Sequence, residues 1–140
     1  MSARKEPRTQ VCGTLEARTR LTSATRFVEV AGLVEAEEDG ADRSTAAALA
    51  VLAGIAASDA ACCARLGRRS RGDDHHDAAI LLERIEPGGR DAATALRRLI
   101  GVKDKAQYGL MFASRQDVQG AMRQAQRLLE FAEDIVKGHV

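Results

Sequence analysis

The segment from Ala47 to Gly67, AALAVLAGIAASDAACCARLG, limits the possible folds more than any other stretch of the chain. It is apolar almost all round a helix and lacks the alternation of a half-buried strand. Alanine has the highest helix propensity, and its small side chain lets neighbouring helices approach closely. A helix of this kind belongs at the centre of a bundle, covered on every side. Alanine supplies about one residue in five, and aromatics only 3%. The core is therefore expected from Ala, Leu, Val and Ile. One charge interrupts the segment: Asp59, set among Ala56, Ala57, Ala60 and Ala61. A buried carboxylate there needs a partner; otherwise Asp59 lies on a narrow exposed stripe.

Prolines occur only at Pro7 and Pro87, leaving long stretches free to be helical. Residues 1–13 are polar and basic and read as a flexible arm; residues 14–140 read as a single helical domain. In the first helix Leu21, Ala24, Phe27, Val28, Ala31 and Val34 recur at steps that make one face, before the acidic cluster Glu35, Glu37, Glu38 and Asp39. Asp42 or Ser44 can cap the second helix, and Gly67 stops it. Asp73 or Asp74 can cap a third, which runs from about Asp74 to Ile85 and stops at Pro87-Gly88-Gly89. Asp91 can cap a fourth, with Ala95, Leu96, Leu99 and Ile100 inward and Gly101 at its end or at a kink. KDKAQYGLMFA (residues 103–113) then links to a last helix, opened by a capping box of Ser114 and Asp117. Val118, Met122, Ala125, Leu129, Ala132 and Val136 form its apolar face. No alternating β pattern competes. The expected class is all-α, a four- to five-helix up-and-down bundle.

The net charge is +1, so overall charge provides no argument for a nucleic-acid role. Cys12, Cys62 and Cys63 are odd in number and form no C-x-x-C. They read as reduced thiols of a cytoplasmic protein, with Cys62 and Cys63 as small core fillers. MSARKEPRTQ has no apolar leader behind it. The longest apolar run, Ala46 to Ala57, is shorter than a membrane span needs, so no membrane is expected. No cofactor motif is present.

The chemistry-bearing stretch is Arg71-Gly-Asp-Asp-His-His-Asp77. His75 and His76 are adjacent, so on a helix they diverge by about 100°, whereas a helical two-His metal site wants spacing i, i+4. No metal site is expected, and the aspartates read as cap and first-turn charges. Arg71 and His76, with four residues between them, also satisfy the loose R-x4–6-H pattern of a ribonuclease family. So do Arg68–His75 and Arg69–His76, with six each. Overlapping matches of this kind follow from an arginine-rich composition. Arg65, Arg68, Arg69 and Arg71 concentrate positive charge after the second helix. They are either solvated or, with Arg4, Lys5, Arg8, Arg18 and Arg20, able to bind phosphate or RNA. No aromatics interleave with them, so base stacking is not expected.

The order of several segments resembles the HEPN superfamily, small helical domains found in prokaryotic toxin–antitoxin modules and beside nucleotidyltransferases. The segments are LTSATRFVEVAGLV, the Ala-rich helix ending at Gly67, DHHDAAILL, and KDKAQYG followed by SRQDVQGAMRQAQRLLEFAE, together covering about residues 20–136. The resemblance implies a homodimer, with a functional groove near the tyrosine-containing stretch. By position it carries Lys103 and Tyr108 into that groove, where Lys103 stands in place of the family's arginine. A lysine cannot make arginine's bidentate fork, so the catalytic Arg…His pair is missing. The implied function is a non-catalytic, dimeric interaction module binding a partner protein, RNA or a nucleotide, with Asp59 and the four arginines as further binding candidates. The Ala-rich and final helices would pack between subunits. The alternative is a metal-independent endoribonuclease, a toxin or toxin–antitoxin component, using Lys103, Tyr108 and His75 or His76.

Overall fold

The computed structural model describes residues 6–37, 39–72, 75–108 and 112–138, with residues 106–108 described by their backbone alone. Five helices fill it: α1 (Thr14–Glu35), α2 (Gly40–Leu66), α3 (His75–Glu83), α4 (Gly89–Tyr108) and α5 (Arg115–Val136). The expected all-α bundle is present. One small addition was not expected: strands β1 (Thr9–Val11) and β2 (Arg68–Ser70) pair antiparallel, with Thr9 opposite Ser70, Gln10 opposite Arg69 and Val11 opposite Arg68.

α2 is the hub. It packs most extensively on α1, then on α5, α4 and α3. Eight of its buried residues are alanine, and this is what lets four helices approach one axis. By length and composition α2 could cross a membrane, contrary to the sequence-based expectation, but 78% of its most apolar window is buried in the bundle. Asp39, rather than Asp42 or Ser44, caps it: the Asp39 carboxylate accepts from Ala41 N–H at 2.7 Å. Gly67 ends it as expected, in the left-handed conformation (φ 74°), donating its N–H to the Cys63 carbonyl. A side chain there would be strained.

α4 begins at Gly89, ahead of Asp91, and continues through the KDKAQY stretch that the sequence placed in a linker. Gly101 lies within it and causes no break. Ser114 and Asp117 form the expected capping box, with Ser114 Oγ accepting from Asp117 N–H at 3.0 Å and Asp117 Oδ2 accepting from Ser114 N–H at 3.1 Å. These bonds hold the Asp117 carboxyl below its ordinary range. The caps assigned to Asp73 and Asp74 lie outside the described residues.

Two glycines of α4 should respond oppositely to alanine. A Cβ on Gly89 would lie 2.1 Å from the Leu82 carbonyl oxygen, a backbone atom that cannot swing away, whereas a Cβ on Gly101 meets nothing within 4 Å. Gly89→Ala should destabilise by about 2 kcal/mol, and Gly101→Ala should stabilise by about 0.5–1 kcal/mol through helix propensity. Urea denaturation of the two variants beside the parent checks both signs.

The N-terminal segment departs furthest from expectation. Residues 9–13, placed in the flexible arm, are tied down: β1 pairs with β2, Cys12 N–H donates to the Gly67 carbonyl, and Gly13 N–H donates to Glu16. Cys12 is bonded to Cys63, 51 positions away. The three expected thiols are thus one bridge and one free cysteine, Cys62, which is buried as a core filler. Cys12, Ala17 and Cys63 form a separate buried cluster with Val136 of α5 beside it.

Candidate anion-binding site

Asp59 is 6% exposed, and its partner comes from α1. Arg20 donates from both Nε and Nη2 to Asp59 Oδ2, each at 3.1 Å. Arg20 sits between Ala17, Leu21 and Ala24 on the buried side of α1, an arginine within the apolar stripe. That interruption was the one sequence signal for it, and it was read only as part of the basic arm.

A second guanidinium approaches from the ribbon. Arg69 Nη1 lies 3.9 Å from Asp59 Oδ2. The same side chain donates to the Ser70 carbonyl at 3.5 Å and to Gln10 Oε1 at 3.3 Å. Gln10 is its partner in the strand register, so the pairing of β1 with β2 is what aims Arg69 at Asp59. Half-buried His75, at the start of α3, acts on Asp59 through its charge. Four elements therefore converge on one carboxylate.

Burial is the largest influence on Asp59 and raises its pKa above the ordinary value; Arg20, Arg69 and His75, in that order, pull it back only partly. Cys62 shares this face of α2, one turn on. Burial first and the Asp59 charge second push its thiol up to about 12, so it stays protonated near neutral pH and is no thiolate nucleophile there. Among the described residues no group of three or more His, Cys, Asp and Glu side chains could hold a metal ion.

One feature leaves the cluster open to an anion. Arg20 and Arg69 keep 34% and 35% of their side chains exposed, so donors not engaged by Asp59 reach the surface. Ser70, next to Arg69, is 8% exposed, and its Oγ has no hydrogen-bond partner among the described residues. Buried hydroxyls are usually bonded. Around this corner the ribbon adds charge, because Arg71 N–H donates to the Arg8 carbonyl and so brings together two exposed arginines far apart in sequence. Arg68 is exposed beside them. Arg65, also exposed, donates to the Glu86 carbonyl at 2.7 Å and so braces the turn before α4.

The other candidates fall elsewhere. His76 is exposed. Gly54 of α2 faces Leu99 of α4. Arg65 meets Glu86 near one end of α2, and Phe112 meets Gly40 at the other, so α4 runs antiparallel to α2. Lys103 and Tyr108 lie beyond the Gly54–Leu99 contact toward the α2 N-terminus, whereas Asp59 lies on the opposite side of it. Lys103 makes no hydrogen bond or ion pair among the described residues, and the Tyr108 side chain is outside them. Lys103 and the backbone of Tyr108 thus lie apart from Asp59.

The sequence reading named Arg20 among the basic residues able to bind phosphate or RNA but not as the partner of Asp59, and it missed Ser70 and the pair Arg69–His75. That pair, with five intervening residues, also satisfies the R-x4–6-H spacing, and both members act on the charge of Asp59. The chain matches no protein-family model, no curated protein and no solved structure.

Proposed function

We propose that the chain is a HEPN-like interaction module, homodimeric and non-catalytic, which binds phosphate groups of RNA or a nucleotide at the Arg20–Asp59–Arg69–His75 corner. The observation that carries this reading is the buried Asp59 carboxylate, which holds two guanidiniums in fixed positions while a third of each remains exposed. Fixed guanidiniums suit phosphate oxygens. Arg8, Arg68 and Arg71 supply a rim that extends along a phosphate backbone. Without aromatic platforms, binding rests on charge and follows salt steeply.

The test is fluorescence polarisation with single-stranded RNA at 50 and 200 mM salt. Affinity should fall about tenfold or more between them. Arg69→Ala should weaken binding at least tenfold, and Arg68→Ala with Arg71→Ala should reduce the salt slope. Binding indifferent to salt and to Arg69 would remove the reading.

The dimer rests on the family resemblance and on the exposed apolar residues Leu33 of α1 and Leu52 of α2. The buried faces of α2 are committed inside one protomer, so the expected packing of that helix between subunits is replaced by this outer surface. A strict monomer by light scattering at high micromolar concentration would exclude the dimer.

A second reading is favoured by one observation, that Arg69 approaches Asp59 and His75 acts on the same carboxylate through its charge. An imidazole there could move the proton of a ribose 2′-hydroxyl while a guanidinium stabilises the phosphate charge. Metal-independent RNA cleavage abolished by His75→Ala would establish it, and intact RNA after prolonged incubation would dismiss it.

A further inference from the structure

A cleft of about 350 Å³ lies between α4 and α5, and it shares no residue with the Asp59 corner. Its floor is made by Ala92 and Ala95, and the space exists because α4 presents small side chains where larger ones would have met α5. One wall is Phe131, an aromatic ring packed partly into the core and held against Gly88. The volume is within the range of small-molecule sites and too small for a strand of nucleic acid.

Gln124 is the feature that points to a ligand. It sits on the buried face of α5 among Ala121, Ala125 and Leu128, and it is 8% exposed. Its Oε1 accepts from Arg127 Nη1 at 3.5 Å, a long bond. Its Nε2 makes no hydrogen bond among the described residues. Its Nε2 therefore keeps donors that open onto the cleft it lines, where a ligand acceptor can take them. Two exposed arginines, Arg98 and Arg127, line it together with one exposed carboxylate, Asp91, so the lining keeps a net positive charge. Neither forms an ion pair among the described residues, although the neighbouring Arg97 is engaged by Glu83.

We propose that this cleft binds a small planar organic anion: one aromatic or heteroaromatic ring bearing a carboxylate or a phosphate. The ring lies on Phe131 over the two alanines. A carbonyl or ring-nitrogen acceptor takes the Gln124 Nε2 donors, and the acidic group sits between the Arg98 and Arg127 guanidiniums. Carboxylate and phosphate share this recognition chemistry.

The test is a titration of the ¹⁵N-labelled protein followed by NMR, using pyridin-3-yl phosphate and pyridine-3-carboxylate as acidic probes and 3-hydroxypyridine and pyridine-3-carboxamide as neutral counterparts. At least one acid should shift amides of residues 91–98 and 124–131 saturably. Its neutral counterpart should bind at least tenfold more weakly. Whichever acid binds tighter assigns phosphate or carboxylate. Gln124→Leu, which keeps the volume and suits an apolar helix face, should keep the circular dichroism and melting of the parent and weaken binding at least tenfold. Arg98→Ala, exposed and safe for folding, should do the same. Arg69→Ala should leave this binding unchanged, which separates the cleft from the Asp59 corner. No saturable shift with either acid at millimolar concentration, equal binding of neutral and acidic probes, or full binding by Gln124→Leu would each overturn the proposal.

Discussion

Cys12→Ser should lower the free energy of unfolding by about 3–4 kcal/mol, the size expected for cross-linking a loop of this length. The loop is 51 residues in separation, and the cost arises chiefly because the unbridged unfolded chain regains its freedom. For a domain of this size that corresponds to a melting point lower by about 10 °C. Urea denaturation with and without a dithiol reductant checks it. The parent should lose this stability on reduction, and Cys12→Ser should be indifferent to reductant. Cys62→Ser should keep the sensitivity, since Cys62 is outside the bridge. A parent whose unfolding ignores the reductant would contradict the prediction. The loss should also reach the charged corner, because β1 carries Gln10 and Gln10 holds Arg69.

Asp59→Ala should cost about 3 kcal/mol, toward the low end for breaking a buried pair, because water reaches both guanidiniums and screens them. Replacing the pair by apolar groups is different in kind: Arg20→Met with Asp59→Leu should recover more than half of that loss. Comparing the single and double variants by denaturation separates the value of the pair from the penalty of orphaning one member. The dependence on pH has a definite sign. Burial holds the folded-state pKa of Asp59 above its ordinary value of 3.8, so the folded protein binds this proton more tightly than the unfolded chain. Its contribution is greatest at low pH, declines as pH rises above about 3.8 and becomes constant once the folded pKa is passed. Glu16 and Asp117 are lowered instead, so their contributions are present above the ordinary carboxylate range and fade in acid. The stability of the parent minus that of Asp59→Asn, measured from pH 3 to 7, cancels those two and should fall with pH. A difference that rises would refute the burial-dominated account.

Much of the helical framework was legible because helix signals are local. The alanine-rich composition, the steps of three and four, the capping box at Ser114 and the stop at Gly67 each act within a few residues. The ribbon was not legible, since three residues on each side are too few to show alternation. Its partners lie on opposite sides of two helices, brought together by the Cys12–Cys63 bridge and the turn at Gly67. The cysteines were misread for the same reason: no spacing rule identifies a bridge between a terminal segment and the far end of a helix. Asp59 could be recognised as needing a partner, but Arg20, 39 positions away, becomes its neighbour only once α1 and α2 fold back on each other. The RGDDHHD stretch divides between its two histidines, His75 half-buried and His76 exposed, as their angular divergence on a helix requires.

The alanines that line α2 have a consequence for how this protein can be interrogated. Eight buried positions already carry the residue that a scanning experiment would introduce, so alanine scanning would pass over the central contacts of the bundle in silence. The informative series runs the other way, toward larger side chains. Gly54 marks its steepest point, where an added methyl would press on Leu99 and Leu128 at once.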